Sequence, residues 1–161
     1  MNFDFIINNA VFITIAVSIL SLIYSFLLTS KIISKPRGDE KMNEISDAIA
    51  EGANAYMKRQ YSVVAVIGLV IFAGLYLMFD LLTAAGFAVG AIFSSTAGII
   101  GMNVAIRSNI RTAQAAKNNL SSAFAVAFSG GAVTGFMVAG LALLSVAGVY
   151  LVITSLGVTD L

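Results

Sequence analysis

The sequence contains no cysteine and no histidine. Without them there are no disulfides, no thiolate metal sites, and neither the commonest metal ligand nor the usual proton shuttle near neutral pH. Any chemistry has to rest on carboxylates, lysine, arginine or tyrosine. Charge is also scarce: nine basic and eight acidic residues make up 11% of the 161-residue chain, where soluble domains carry about 25%. The net charge of +1 excludes nucleic acid as a partner class, because a binding face needs Lys and Arg clustered well in excess of acids.

The charges that are present are confined to short clusters. Between them lie the charge-free apolar runs Phe5 to Ser30, Gln60 to Phe79, Leu81 to Ile106 and Asn118 to Thr159. A hydrocarbon core about 30 Å thick needs about 20 apolar residues of helix, and each run meets that length. Apolar residues make up 59% of the chain, against about 45–50% in soluble domains. The pattern predicts an all-α membrane protein, a single bundle over 1–161 with four transmembrane helices at about 5–30, 39–79, 81–111 and 118–158. None of the runs holds the intramembrane ionisable residue that usually marks an ion path.

Orientation follows from the basic residues. Lys31, Lys35, Arg37, Lys41, Lys58 and Arg59 follow the first run, and Arg107, Arg111 and Lys117 follow the third. Cytoplasmic loops are enriched in Lys and Arg, which puts both segments inside. The N-terminus with Asp4, the turn at Asp80 and the C-terminus with Asp160 then face outward. The first run exceeds the roughly 7–15-residue core of a signal peptide and is expected to be retained as a helix. The fourth is long, so its first turns, Asn118 to about Ala127, are expected inside the cytoplasmic boundary.

Two runs carry small residues every four positions: Gly86, Gly90, Ser94 and Gly98 in the third, and Ala123, Ala127, Gly131, Gly135 and Ala139 in the fourth. Such stripes let helix backbones approach closely. Packing within the chain is the plainer expectation, and a homodimer seam the alternative. The first run carries a hydroxyl line, Thr14, Ser18, Ser21, Ser25 and Thr29. With no ionisable residue beside them, these are expected to bond backbone carbonyls or a neighbouring helix rather than line a permeation path.

The segment between the first two runs is the largest polar part. Pro36 and Gly38 end the first helix, and Asp39 can cap a new one. Met42, Ile45, Ile49, Ala53 and Tyr56 form an apolar stripe at helical spacing, with Glu44, Asp47, Glu51 and Lys58 on another face. This amphipathic helix is expected on the cytoplasmic side, entering the second span through Lys58, Arg59, Gln60 and Tyr61. The acids at i, i+3 and i+7 have a spacing able to hold Mg²⁺ through waters; a solvated face, or one paired with a basic neighbour, is the simpler expectation. Arg107 and Arg111, one helical turn apart, suit either a bidentate grip on phosphate or snorkelling to the interface.

At these polar segments the sequence becomes recognisable. Lys41-Met42-Asn43-Glu44-Ile45-Ser46-Asp47-Ala48-Ile49-Ala50-Glu51-Gly52-Ala53-Asn54-Ala55-Tyr56-Met57-Lys58-Arg59-Gln60-Tyr61 closely resembles the first cytoplasmic loop of the membrane-bound, ion-pumping pyrophosphatases. Gly101-Met102-Asn103-Val104-Ala105-Ile106-Arg107-Ser108-Asn109-Ile110-Arg111-Thr112-Ala113-Gln114-Ala115-Ala116 is similar to the end of that family's third helix, and Ala123-Phe124 through Ser129-Gly130-Gly131-Ala132-Val133 to Gly140-Leu141 to its fourth. The matches come in the family's order and at its spacing.

The resemblance implies a sixteen-helix protein that hydrolyses pyrophosphate with Mg²⁺ to drive H⁺ or Na⁺ across a prokaryotic cell membrane, as a homodimer in lipid. This chain would supply the first four helices, part of the outer ring, and the remaining helices would be its partners. The family's acidic motifs, of the Asp-Val-Gly-Ala-Asp-Leu-Val-Gly-Lys-Val-Glu and Gly-Asp-Asn-x-Gly-Asp types, are absent. The resemblance therefore carries over no catalytic, metal or substrate-binding residue, and the chain by itself is expected to be inactive. Ending at Asp160-Leu161 just past an apolar run, it is expected to be an N-terminal piece of such a pump. The alternative is a stand-alone four-helix assembly partner or small channel.

Overall fold

The computed structural model describes residues 9–157. Among them lie four helices and no strand: α1 (Ala10–Ile33), α2 (Glu40–Met78), α3 (Leu81–Ala116) and α4 (Leu120–Ser155). All four are long and apolar enough to cross a membrane, as the charge-free runs predict. Residues 5–8 of the expected first span, position 158 of the last, and Asp4 and Asp160 fall outside the described residues.

The breaks between helices have local causes. Lys35 precedes Pro36, which disfavours helix, and Gly38 adopts φ 99°, a left-handed conformation suited to glycine. The side chain of Asp39 then accepts from the Met42 amide at 2.9 Å, which starts α2. Asp80 accepts from Thr83 N at 2.6 Å and Asn119 from Ser122 N at 2.7 Å. Each of the three later helices thus begins with an Asx side chain satisfying an orphan amide.

Helices α2, α3 and α4 have 39, 36 and 36 residues. At 1.5 Å per residue they run roughly 54–58 Å, well past a hydrocarbon core about 30 Å thick. The polar segment after Asp39 is continuous with the second span, as expected. Helix α3 runs to Ala116, past the expected end at 111, because Thr112 to Ala116 contains neither Pro nor Gly to stop it. The fourth run is one unbroken helix.

Helix α4 packs on both α3 and α1, and α1 meets α3 over a small area. Helix α2 touches α3 alone. Ile32, Val104 and Val133, one from each of α1, α3 and α4, form the buried core, with Leu28 against it. Ser18 and Ser25 are fully buried, and Ser25 Oγ donates across the interface to Val133 O at 3.0 Å. Thr14, Ser18 and Thr29 donate to carbonyls four residues back, at 2.8, 2.7 and 2.8 Å. Four of the five hydroxyls in the line, Ser21 excepted, are thereby bonded to backbone carbonyls, as the sequence predicts.

The close approaches between helices differ from the expected stripes. A Cβ at Gly140 would come within 3.0 Å of Leu22 and 3.1 Å of Ser18 O. One at Gly101 would press on Thr134 at 3.0 Å, one at Gly130 would collide with Ser108, and one at Gly98 with the Tyr61 hydroxyl. Of the stripe on α3, Gly86 makes an ordinary contact with Val149 at 3.6 Å, Gly90 has nothing within 4 Å, and Ser94 is exposed. On α4, Ala127, Gly131, Gly135 and Ala139 are all exposed, and nothing lies within 4 Å of a Cβ at either glycine. As a seam between helices of this chain, that stripe is corrected. The packed face of α4 is Val126, Gly130, Val133, Gly140 and Ala147, a neighbouring line that shares the small-residue character.

Candidate functional site

The polar side chains gather at one end of the bundle, where the segment leaving α1, the start of α2, the end of α3 and the start of α4 come together. Arg111 sits at the centre, only 7% exposed. Its guanidinium donates to Lys35 O at 3.0 Å, Arg107 O at 2.7 Å and Ile33 O at 2.8 Å. A helix ends in four carbonyls without intrahelical partners and a negative dipole end that favours a cation. Arg111 therefore caps α1 from α3. Three of its five donors are taken by backbone carbonyls, so simple snorkelling does not describe it.

Two ion pairs tie the same end. Lys117, just after α3, donates to Asp39 at 2.7 Å, joining the two polar connections across the bundle. Arg37 pairs with Asp47 on α2. The Lys117 hydrogen bond, helped by the Met42 amide, holds the Asp39 carboxyl below the ordinary carboxylate range. At the opposite end, the Thr83 amide holds Asp80 low in the same way.

The remaining candidates are dispersed. Glu44, Asp47, Glu51, Lys58 and Arg59 on α2 and Arg107 on α3 are exposed. Among the described residues no three His, Cys, Asp or Glu side chains gather into a group able to hold a metal. Asp47 is engaged by Arg37, so the acids of α2 do not fit a Mg²⁺ site. The amphipathic face is also rotated from its expectation. Ile45, Ile49 and Tyr56 are more than half exposed, while Ser46, Ala50, Ala53 and buried Met57 turn inward. Helix α3 presents small and branched residues there, and small side chains let α2 come close. Sequence reasoning missed Arg111 as a cap and Asn119 as a helix start; the Asn119-x-x-Ser122 spacing carries the signal for the second.

Between the end of α1 and the α3–α4 turn lies a cavity of about 290 Å³, lined by Lys35, Arg111, Gln114, Asn118 and Ser122 above Ala125 and Val126. A second, of about 380 Å³, is lined by Arg37, Asp47, Arg107 and Arg111. Neither holds a paired acid and base placed for hydrolysis.

The family described as inorganic H⁺ pyrophosphatase matches residues 19–160. The chain belongs to that family. A K⁺-insensitive pyrophosphate-energized proton pump of Methanosarcina mazei is 44% identical over 135 residues, 83% of this chain and 20% of that protein. A pump of the same description from Pyrobaculum aerophilum is 43% identical over 149 residues, 88% of this chain and 20% of that protein. A K⁺-stimulated pyrophosphate-energized sodium pump of Thermotoga maritima is 37% identical over 123 residues, 75% and 17%. The chain spans about a fifth of the length of these relatives. Proton and sodium pumps both match, so these four helices do not decide the ion.

Proposed function

We propose that this chain is the first-four-helix, outer-ring portion of a membrane pump that couples Mg²⁺-dependent pyrophosphate hydrolysis to H⁺ or Na⁺ transport in a prokaryotic cell membrane. The observation that carries the reading is the family match across residues 19–160. The role of these helices is to pack and orient the helices that hold substrate, and the exposed line Ala127, Gly131, Gly135 and Ala139 supports it. Lipid cannot reproduce the dispersion contacts that a small-residue face offers to another helix. We assign that face to the remaining helices of the pump, and place any homodimer seam outside this chain.

Hydrolysis needs several Mg²⁺ ions on the substrate and a water oriented by a carboxylate. The isolated chain is therefore inactive. Mg²⁺-dependent phosphate release should match a mock-purified control for the 161-residue chain, and rise above it when the chain is joined to the acidic-motif helices of the family. Release by the chain alone, or none from the joined protein, overturns the reading.

Orientation is part of the same proposal. The basic residues lie at the end of α1, in the first half of α2, at the end of α3 and in the connections between them, and the Asp80 turn holds none. With no native cysteine, an impermeant maleimide should label Asp80→Cys in whole cells, but Glu51→Cys and Arg107→Cys only after lysis. Labelling at Glu51→Cys before lysis inverts the topology.

A further inference from the structure

The cavity beside Arg111 has a chemistry that the pump reading does not use. It lies where the bundle's basic residues meet the start of its apolar runs, open to the outside between the segment after α1, the end of α3 and the start of α4. Lys35 and Arg111 line it, together with Gln114, Asn118 and Ser122, and no acid does. The nearby acid Asp39 is already engaged by Lys117. Lys35 forms no ion pair among the described residues. The cavity thus combines two cations with amide groups and a hydroxyl, over an apolar floor of Ala125 and Val126.

We propose that this cavity holds the headgroup of an anionic phospholipid, with the phosphate between Lys35 and Arg111. Basic pockets between transmembrane helices on the side where Lys and Arg gather take acidic lipid headgroups by this chemistry. A phosphate also answers the arginine. Three guanidinium hydrogens are held by carbonyls, and of its five donors two remain for an anion. Lipid bound here would bridge the end of α1 to the α3–α4 turn, reinforcing the joint that Arg111 makes. The inference stands apart from the pump assignment, because it rests on the cavity alone.

The test is native mass spectrometry of the whole encoded polypeptide, released from mild detergent after titration with phosphatidylglycerol or phosphatidylcholine. Phosphatidylglycerol should bind preferentially, and Lys35→Gln should weaken it about fivefold, the effect of one basic residue at a membrane surface. Ser122→Leu, which fills the cavity without changing charge, should do the same, whereas Lys31→Gln, a basic residue outside the cavity, should not. Unfolding midpoints within a degree or two of wild type keep these variants interpretable. Equal binding of the two lipids, or equal loss in Lys31→Gln, makes the attraction a diffuse surface effect and overturns the proposal. Displacement of the lipid by millimolar inorganic phosphate or pyrophosphate at constant ionic strength overturns it too, and assigns the cavity to a soluble phosphate.

Discussion

Helix α4 meets α1 and α3 through Ser25, Gly130 and Gly140, whereas α2 leans on α3 alone through contacts such as Tyr61 over Gly98. The most apolar 18-residue stretch of α2 has no buried residue, against 22% in α3. Between α2 and α3 a groove of about 500 Å³ opens beside Gly68, Phe72 and Phe87. In lipid no hydrophobic drive pulls helices together, so association depends on close packing and interhelical hydrogen bonds. Helices α1, α3 and α4 have the small residues and serines for both. Helix α2 is Val-, Leu- and Ile-rich on nearly every side, and that composition suits acyl chains or a further helix equally well.

The comparison breaks most severely at Arg111. Arg111→Ala leaves the carbonyls of Ile33 and Lys35 without their donor in a part-buried site, and hydrogen bonds to a charged group are each worth about 1.5–3 kcal/mol. We expect a loss of about 3 kcal/mol in detergent unfolding, with α1 detaching from α3 and α4 first. Arg111→Lys should rescue little, because a point ammonium cannot reproduce the fork that spans both chain segments. Wild-type stability in Arg111→Ala would make the cap incidental.

Glycine replacement separates the two faces of α4. Gly140→Ala pushes a methyl against Leu22 and the Ser18 carbonyl, an overpacking that costs about 1–3 kcal/mol. Gly131→Ala and Gly135→Ala meet nothing within 4 Å and should leave unfolding of the isolated chain unchanged. In the complete pump, Gly131→Leu should lower the yield of assembled protein more than activity per assembled molecule. If Gly131→Ala destabilised the isolated chain as much as Gly140→Ala, the assignment of faces would be reversed.

Much of this was legible in the sequence, and the misses share one cause. Charge-free length located all four helices, and four hydroxyls of the line, Thr14, Ser18, Ser25 and Thr29, found carbonyls as expected. Both readings depend on distance along one chain. Which small residues pack is decided by how a helix is rotated about its axis, and α4 has small residues on two adjacent lines. Spacing alone cannot choose between Gly131-x-x-x-Gly135 and Gly130 with Gly140, because lipid and protein both accept an apolar face. The role of Arg111 was hidden for the same reason: its partners at Ile33 and Lys35 lie 78 and 76 positions away.

A smaller effect is expected within the α1–α4 contact. Ser25→Ala removes the bond to Val133 O, and interhelical hydrogen bonds of this kind average about 0.6 kcal/mol. Half-buried Ser21→Ala should be closer to silent. A difference between the two, read from unfolding midpoints, isolates the bond from the general loss of a hydroxyl.

The weakest effect should come from the exposed pair Asp39–Lys117, which joins the α1–α2 and α3–α4 connections. The folded protein holds the Asp39 carboxyl below its ordinary value, because the ionised form accepts from Lys117 and the Met42 amide. A lowered folded value means that the contribution is complete at neutral pH and is lost as pH falls through that value. The hydrogen-exchange protection of the first amides of α2, taken relative to the intrinsic rate at each pH, should therefore fall on acidification toward pH 3 and be flat between pH 6 and 8. Asp39→Asn keeps a cap-forming side chain but removes the charge, so protection should be slightly lower at neutral pH and insensitive to acid and salt. Because exposed pairs contribute little and are screened, global unfolding should barely move. An acid response as large in Asp39→Asn as in wild type would place the sensitive carboxylate elsewhere, with Asp47 of α2, the partner of Arg37, as the next to replace.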